Sequence, residues 1–302
     1  MSSHLRHSTT AMLVALLFAY SIIICPFTAY MKQKPIEEKL GYLPSIDVLR
    51  YVSADHKELM GASLVMKVII YFGGIIEKRQ SNVINQPPDY QRMSGILHGA
   101  VKLDPYNMDA YYMAQSFLTW EVKQYKLAND LLDYGMKYRT WDWMLPFFAG
   151  FNSAYFMKDF KKASEYYKRA GELSGSPLYF SLAGRYLQES GQTDLAIAYL
   201  TAIEKGERNQ AVKKNYQIRL AAFKEVRRIE LARDRFKEAK GILPATVEQL
   251  RKEGFLVPPP VDPYGGLFYL EPDGKVATTS KFAFAGVENE KRQNTGESHE
   301  RH

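Results

Sequence analysis

The stretch PLYFSLAGRYLQESGQTDLAIAYLTAIEKGERNQ, residues 177–210, decides the fold. Its first half predicts a helix that carries two adjacent small residues, Ala183 and Gly184. Gly191 then ends that helix, because glycine readily adopts the positive φ that such a turn needs. The second half predicts another helix, with Ala196 near its start. Small residues at a crossing let two helix axes approach to about 8–10 Å, so the stretch predicts a closely packed helix pair.

The same pattern recurs upstream at a spacing of about 34 residues, a period typical of helical repeat arrays. A second copy covers residues 144–176, with Gly150 one place out of phase. A third copy covers residues 109–138 and has polar residues where the small pair is expected. The end of a degenerate copy lies at residues 94–105. Copies that follow one another in phase predict an array of helix pairs over residues 91–210.

This spacing of small and large residues resembles the tetratricopeptide repeat family. The residues that carry the resemblance are Gly184, Gly191, Ala196, Leu200 and Ile203, which fall on the family's spaced small and large positions. The resemblance implies a mainly α fold in which helix pairs form a right-handed α-solenoid. It also implies a protein or peptide partner, because the groove along such an array is the usual ligand surface.

Aromatic residues crowd the predicted array, and the chain contains 21 Tyr, 16 Phe and 3 Trp. We expect most of those in the array to lie in the core between helices. Those on the first helix of a pair are candidates for the groove, because aromatic side chains are good interface anchors. The candidate groove residues are Tyr112, Tyr155, Asn152 and Arg185. Partner side chains would be buried against the aromatic rings, with lysine and arginine at the rim.

The N-terminal region predicts a transmembrane helix. Residues 1–10 are a polar segment, and residues 11–30 form an uncharged apolar run that is long enough to span a ~30 Å hydrocarbon core. A cleaved signal peptide is the alternative, but Phe-Thr-Ala at 27–29 is a poor cleavage site. Lysines after the run favour a cytoplasmic body. Similarity to bacterial single-anchor proteins favours an exported body on the inner membrane, and we adopt that side.

Two segments flank the predicted array. Residues 31–90 predict a neck and N-terminal helices, in which the apolar stretch Val65–Ile76 predicts a buried helix. A membrane-associated segment is the alternative for that stretch. Residues 211–240 predict a long basic amphipathic helix that caps the array. A basic ligand surface is the alternative for this helix.

The C-terminal region differs in composition from the array. Residues 241–287 predict a short helix followed by a hairpin, a small α+β module with a turn at 262–266. This stretch resembles the tail of bacterial pseudopilin-like proteins, in which a Leu-Pro, an Asp-Pro-aromatic-Gly turn and a glycine-containing hairpin recur. Residues 288–302 are polar and charged, which predicts disorder.

The sequence contains no pattern typical of catalysis. None of the six histidines lies in a His-Glu-x-x-His or similar motif, and there is no glycine-rich phosphate loop. We therefore expect no enzymatic activity, no cofactor and no metal. A net charge of +7 is modest over 302 residues, and we expect no nucleic-acid partner.

These observations together predict a membrane-anchored scaffold that binds a protein or peptide partner in an aromatic-lined groove, in a bacterial envelope assembly. The alternative is a structural subunit of a membrane or secretion-type complex that assembles through the C-terminal module.

Overall fold

The computed structural model describes residues 2–33, 40–83 and 85–282. It divides into two compact units, Met1–Lys123 and Gln124–His302, which we call the first and second units. The predicted disordered tail, 288–302, lies outside the described residues. Part of the predicted neck and the last residues of the predicted module also lie outside them.

The first unit consists of helices. They are α1 (Ser2–Gln33), α2 (Ile46–Ser53), α3 (Lys57–Gln80), α4 (Tyr90–Leu103) and α5 (Met108–Ser116), and α5 continues as one π-helical turn, Phe117–Glu121. Asp89 caps α4 by accepting a hydrogen bond from the Arg92 backbone at 3.0 Å, as an N-cap carboxylate does. Helices α3 and α4 pack closely, because Gly61 has no Cβ. A Cβ at that position would lie 3.1 Å from the Cβ of Asp104.

The second unit carries consecutive packed helices and a short hairpin. The elements are α6 (Tyr125–Met136), α7 (Met144–Phe151) with a π-helical turn (Asn152–Phe156), α8 (Phe160–Ser174), α9 (Pro177–Glu189), α10 (Thr193–Gly206), α11 (Gln210–Lys240), α12 (Val247–Lys252), β1 (Phe268–Leu270) and β2 (Val276–Thr278). The prediction of a mainly α chain built from helix pairs is confirmed. Helices α7 with α8 and α9 with α10 are the pairs of the two clearest copies.

The crossing of α9 and α10 has the predicted small residues at its centre. Ala183, Gly184 and Ala196 are buried, and the Leu200 side chain fills the space opposite Gly184. A Cβ at Gly184 would lie 2.7 Å from the Leu200 Cγ, closer than real Cβ atoms come to a neighbour. Gly191 lies between the two helices with φ of +78°, the left-handed conformation that glycine adopts most easily.

The π-helical turns explain why the upstream copies are out of phase. In a π-turn the hydrogen bond spans five residues, as between the Met157 backbone N–H and the Asn152 carbonyl at 3.1 Å. One extra residue is therefore inserted at the end of the first helix of the pair. The turn that follows has Lys158 at φ of +55°, in the role that Gly191 has in the next pair.

The C-terminal module packs on α11 within the second unit. Strands β1 and β2 are antiparallel, with Phe268 opposite Thr278. Arginines of α11 hold the module by donating to its backbone carbonyls. Their bonds run from Arg228 to Pro258, from Arg233 to Gly274 at 2.7 Å and from Arg235 to Phe255 at 3.2 Å. The basic character of α11 thus serves contact with the module.

Within the part of the chain that the structure describes, two helices are long and apolar enough to cross a membrane. One is the segment Met12–Tyr30 of α1, none of which is buried, and the other is α3, of which a third is buried. The segment in α1 matches the predicted transmembrane run. The segment in α3 includes the stretch Val65–Ile76, which was predicted as a buried helix.

Candidate functional site

The repeat spacing relates three pairs of positions on the first helices of the second unit. Gly150 and Gly184 are 34 residues apart, and the same step relates the other positions. The related residues are Phe151 at the end of α7 with Tyr155 in the π-turn after it, Arg185 and Glu189 on α9, and Arg219 and Phe223 on α11. We call this set the first-helix face. It is open at α7 and α9 and covered at α11.

The α7 part of the first-helix face is a pair of stacked rings. Tyr155 is 59% exposed, and its ring stacks on Phe151 with centroids 5.5 Å apart and planes 9° apart. The edge of Phe156 meets the Tyr155 ring at 4.9 Å, and the Lys158 ammonium lies 5.3 Å from the ring centroid. Rings fixed by such contacts lose little side-chain entropy when a partner binds, so this pair is a suitable anchor.

A buried amide pair holds the π-turn that carries Tyr155. Asn152 is 1% exposed, and its amide donates to the Asn129 Oδ1 at 3.1 Å. The Asn129 amide donates in turn to the Ala149 carbonyl at 3.2 Å and to the Ser153 Oγ at 3.0 Å. Asn152 was a candidate groove residue, but in the structure its side chain faces α6. Its contacts position Tyr155 and leave no surface for a partner.

The α9 part of the first-helix face is charged. The Arg185 guanidinium lies 5.9 Å from the Tyr186 ring centroid, and within the described residues no carboxylate or carbonyl accepts a hydrogen bond from it. Its helix neighbour Glu189 accepts from the Lys275 ammonium of the hairpin at 2.7 Å. Burial raises the pKa of Tyr186, while Arg185 acts against the rise. The ring under Arg185 is therefore neutral at physiological pH.

A cavity of about 190 Å³ separates α9 from the hairpin. Its charged lining residues are Arg185, Glu189, Glu271, Lys275 and Lys281. Lys275 is paired with Glu189, whereas Arg185 and Lys281 have no acidic partner within the described residues. With Glu271 included, the lining carries three cations and two carboxylates, a net charge of +1, so the cavity favours a carboxylate over an ammonium.

The C-terminal module covers the α11 part of the first-helix face. Arg219 is buried and donates to the Ser181 carbonyl of α9 at 3.4 Å and to the Phe282 carbonyl at 3.3 Å. The buried Phe282 ring meets the Phe223 ring edge-on, with centroids 5.4 Å apart. The face therefore ends at α9, and a partner can reach only its α7 and α9 parts.

The remaining candidate, Tyr112, lies on α5 of the first unit and is 47% exposed. The sequence predictions did not include Phe151, Lys275, Lys281 or Arg219. The repeat step itself leads from Arg185 back to Phe151 and forward to Arg219. The repeat step does not lead to Lys275 or Lys281, because these lysines come close to α9 only through tertiary packing.

Many tyrosines inside the second unit are core residues. Tyr167 stacks on Tyr179 at 6.4 Å and on Tyr186 at 5.5 Å, and burial raises the pKa of Tyr167. Tyr166 donates to Asp133 at 2.9 Å, and burial, followed by that carboxylate, raises its pKa. These phenols remain neutral and serve helix packing. Among the described residues no group of three His, Cys, Asp or Glu side chains is placed to hold a metal ion.

No protein-family model matches the sequence, and no curated protein sequence is similar to it. Two solved structures that align with the chain are YrrB, described as a TPR protein with an unusual peptide-binding site, and MamA. YrrB aligns at 19% identity over 60% of this chain and 86% of its own, with a TM-score of 0.35. MamA aligns at 17% identity over 52% of this chain and 91% of its own, with a TM-score of 0.33. At these TM-scores, the description of the fold rests on the helix pairs of the chain itself.

Proposed function

We propose that the chain is a membrane-anchored scaffold that binds an extended segment of a protein partner on the first-helix face of its second unit. The observation that carries the proposal is the exposed Tyr155 ring, which stacks on the half-buried Phe151 ring at the end of the first helix of a repeat. Large exposed aromatic rings that are already fixed in position are typical of binding hot spots. The helix pairs around the face would follow the right-handed coil of tetratricopeptide solenoids.

The charges along the first-helix face define the kind of segment that fits. An apolar or aromatic side chain would lie against Tyr155, with the Lys158 ammonium at the rim. An acidic side chain would enter the cavity beside Arg185 and Lys281. The proposal thus favours partners with an apolar residue followed at a short distance by Asp or Glu.

Site-specific photocrosslinking in cells tests this proposal. A photoreactive phenylalanine analogue at Tyr155 should crosslink to a partner protein. The same analogue at Leu195, an exposed residue on the second helix α10, is the matched control and should give much less of that product. Equal crosslinking at both positions, or none at Tyr155, would exclude a partner on the first-helix face.

The apolar segment Met12–Tyr30 supports anchoring by α1. We place this anchor in a bacterial inner membrane, with the units on the exported side and the partner in an envelope assembly. A C-terminal reporter that is active only after export should be active. An active cytoplasmic reporter at the same position would reverse the assignment of the side.

A second candidate function is assembly into a larger complex through the C-terminal module. The observation that favours it is a set of exposed apolar residues on the module, Val257, Val261 and Leu267. Deleting the module would expose buried Phe223, so surface variants are a cleaner test. Val261→Ser with Leu267→Ser should abolish co-purification of a complex but leave the Tyr155 crosslink intact if assembly is the function of the module.

A further inference from the structure

Helix α3 begins with the exposed charged residues Lys57 and Glu58, but its exposed positions from Leu59 to Gly73 carry no charge. Leu59, Met66 and Ile70 are 70%, 54% and 65% exposed, respectively. The other exposed positions between Leu59 and Gly73 are Ala62, Ser63 and Ile69, together with Gly73 itself. At 1.5 Å per residue this face extends over about 20 Å. A helix on the surface of a water-soluble protein normally carries polar residues on its outward face, so the composition of this face is unusual.

The opposite face of α3 forms the core of the first unit. Leu64, Val68 and Ile75 are buried, and the Tyr71 hydroxyl accepts a hydrogen bond from the Asp89 backbone at 3.2 Å. These contacts hold α3 against α4, so α3 lies along the first unit with one side packed and the other open. A helix whose one side is packed in this way is placed to lie in a membrane surface rather than to cross the bilayer.

Helix α4, which packs against α3 in the same unit, has a polar exposed face. Its exposed positions include Gln91, Arg92 and Lys102, so the packed pair of helices is polar on the α4 side. Only the α3 side is apolar. Helix α2, which comes just before α3, adds exposed Tyr51 and Val52. The apolar surface thus belongs to the first elements that follow the N-terminal helix.

The segment that follows α1 limits the distance of helices α2–α5 from the bilayer. Helix α1 ends at Gln33, and Leu40 is buried in the structure at 1% exposure. Seven residues of extended chain cover at most about 25 Å. The connection has Lys32, Lys34 and Lys39 against two glutamates, and α3 has four cations against two glutamates, so both segments carry more cations than carboxylates. These cations suit an anionic lipid surface.

We propose that α3 lies on the membrane surface, with Leu59, Met66 and Ile70 inserted at the boundary between headgroups and acyl chains. The occupant of the apolar face is the lipid bilayer itself. Amphipathic helices that lie in this plane bury their apolar face by about 5–10 Å. The inference rests on the proposed anchoring by α1. It adds that α3 holds the helices that follow α1 against the bilayer, in addition to the attachment by α1.

Spin labels on the full chain in vesicles test the proposal. The lone cysteine is removed by Cys25→Ser, and single cysteines are introduced by Ile22→Cys in α1, Met66→Cys or Ile70→Cys in α3, and Gln91→Cys in α4. The vesicles contain equimolar phosphatidylcholine and phosphatidylglycerol. Collision with oxygen, which concentrates in lipid, is compared with collision with a water-soluble nickel chelate. Helix content of each labelled variant is checked by circular dichroism.

The labels at 66 and 70 should collide preferentially with oxygen, as should the label at 22, while the label at 91 should collide with nickel. If the label at 22 is in lipid but those at 66 and 70 are in water, the inference is wrong and the anchor stands. If the label at 22 is also in water, the proposed anchor fails. If the labels at 66 and 70 are shielded from both reagents, a protein surface covers α3, which also overturns the inference.

Discussion

Replacing Gly184 by alanine tests the helix crossing on which the repeat fold depends. The added Cβ would lie 2.7–2.8 Å from three atoms of Leu200, which is fully buried. Overpacking of a well-packed core costs about 1–3 kcal/mol, and three simultaneous close contacts favour the upper half of that range. Alanine has a higher helix propensity than glycine, which offsets this cost by about 1 kcal/mol. We therefore expect a net destabilisation of about 1–2 kcal/mol.

Thermal unfolding of the full chain in mild detergent measures this effect. Trp120→Phe leaves Trp141 and Trp143, both in the second unit, so tryptophan fluorescence then reports that unit. A loss of about 1–2 kcal/mol lowers Tm by roughly 2–8 °C in a domain of this size. The control is Gly206→Ala, where a Cβ meets no atom within 4 Å, and Tm should stay the same or rise.

Measuring Gly184→Ala in a Leu200→Ala background separates the close contact with Leu200 from any other effect of Gly184→Ala. Leu200→Ala alone should cost about 2–5 kcal/mol, because it removes a buried leucine. In that background Gly184→Ala has no leucine to displace, so it should be neutral or stabilising by up to about 1 kcal/mol. The two substitutions would then be coupled by about 1–3 kcal/mol, as expected for residues in contact. Equal effects of Gly184→Ala in both backgrounds would refute this account of the crossing.

Two further predictions concern charge and the hairpin. Burial, followed by Lys102, lowers the pKa of His98 against the raising effect of its bond to the Ser94 carbonyl. The unfolded state then binds more protons below its pKa of about 6.5. The free energy of unfolding of the first unit should fall as pH decreases from about 6.5. Urea unfolding of His98→Gln at the same pH values should not show that fall. Asp262 is buried and accepts from Thr278 and from Ser280 at 2.7 Å. Thr278 Oγ1 and Ser280 Oγ lie 3.2 Å apart and can bond each other, so Asp262→Ala leaves one of these hydroxyl donors unpaired, at a cost of about 1–3 kcal/mol. Amide exchange at Thr279 should therefore accelerate, and unchanged exchange would contradict the assignment.

The helix pairs could be predicted from sequence because their packing needs residues of particular size at regular spacing. Ala183, Gly184 and Ala196 have little side chain, and a close crossing is the physical reason for having all three. The π-turn at Asn152–Phe156 could not be predicted in this way. The sequence shows only a shift of one position at Gly150, and the buried amide pair that stabilises the turn joins residues from different helices.

That the C-terminal module covers one end of the first-helix face could not be predicted from sequence either, because this contact also joins residues from different elements. Arg219 and Phe282 are 63 residues apart, and nothing in the spacing of either residue indicates that they meet. The basic helix α11 was predicted as a cap, with a ligand surface as the alternative. Its arginines in fact bind backbone carbonyls of the module. Carbonyl groups are present at every residue, so no pattern in the sequence reveals them as partners.

The outward face of α3 shows where composition alone misleads. A strongly apolar stretch with one lysine is typical of a buried core helix, which was the prediction for Val65–Ile76. In the structure, Val65 and Val68 are buried whereas Met66 and Ile70 are exposed. Only the placement of α4 reveals that the stretch has two apolar faces and that just one of them is covered.

Binding of the crosslinked partner to wild type and to Tyr155→Ala tests the central claim most directly. The account predicts that affinity falls by about thirtyfold, the effect of losing a hot-spot side chain worth about 2 kcal/mol. Because Tyr155 is mainly exposed, Tm of the second unit should change by no more than a few degrees. Unchanged affinity would contradict the claim, and so would a loss of affinity that accompanies a large fall in Tm, since Tyr155 would then be a core residue.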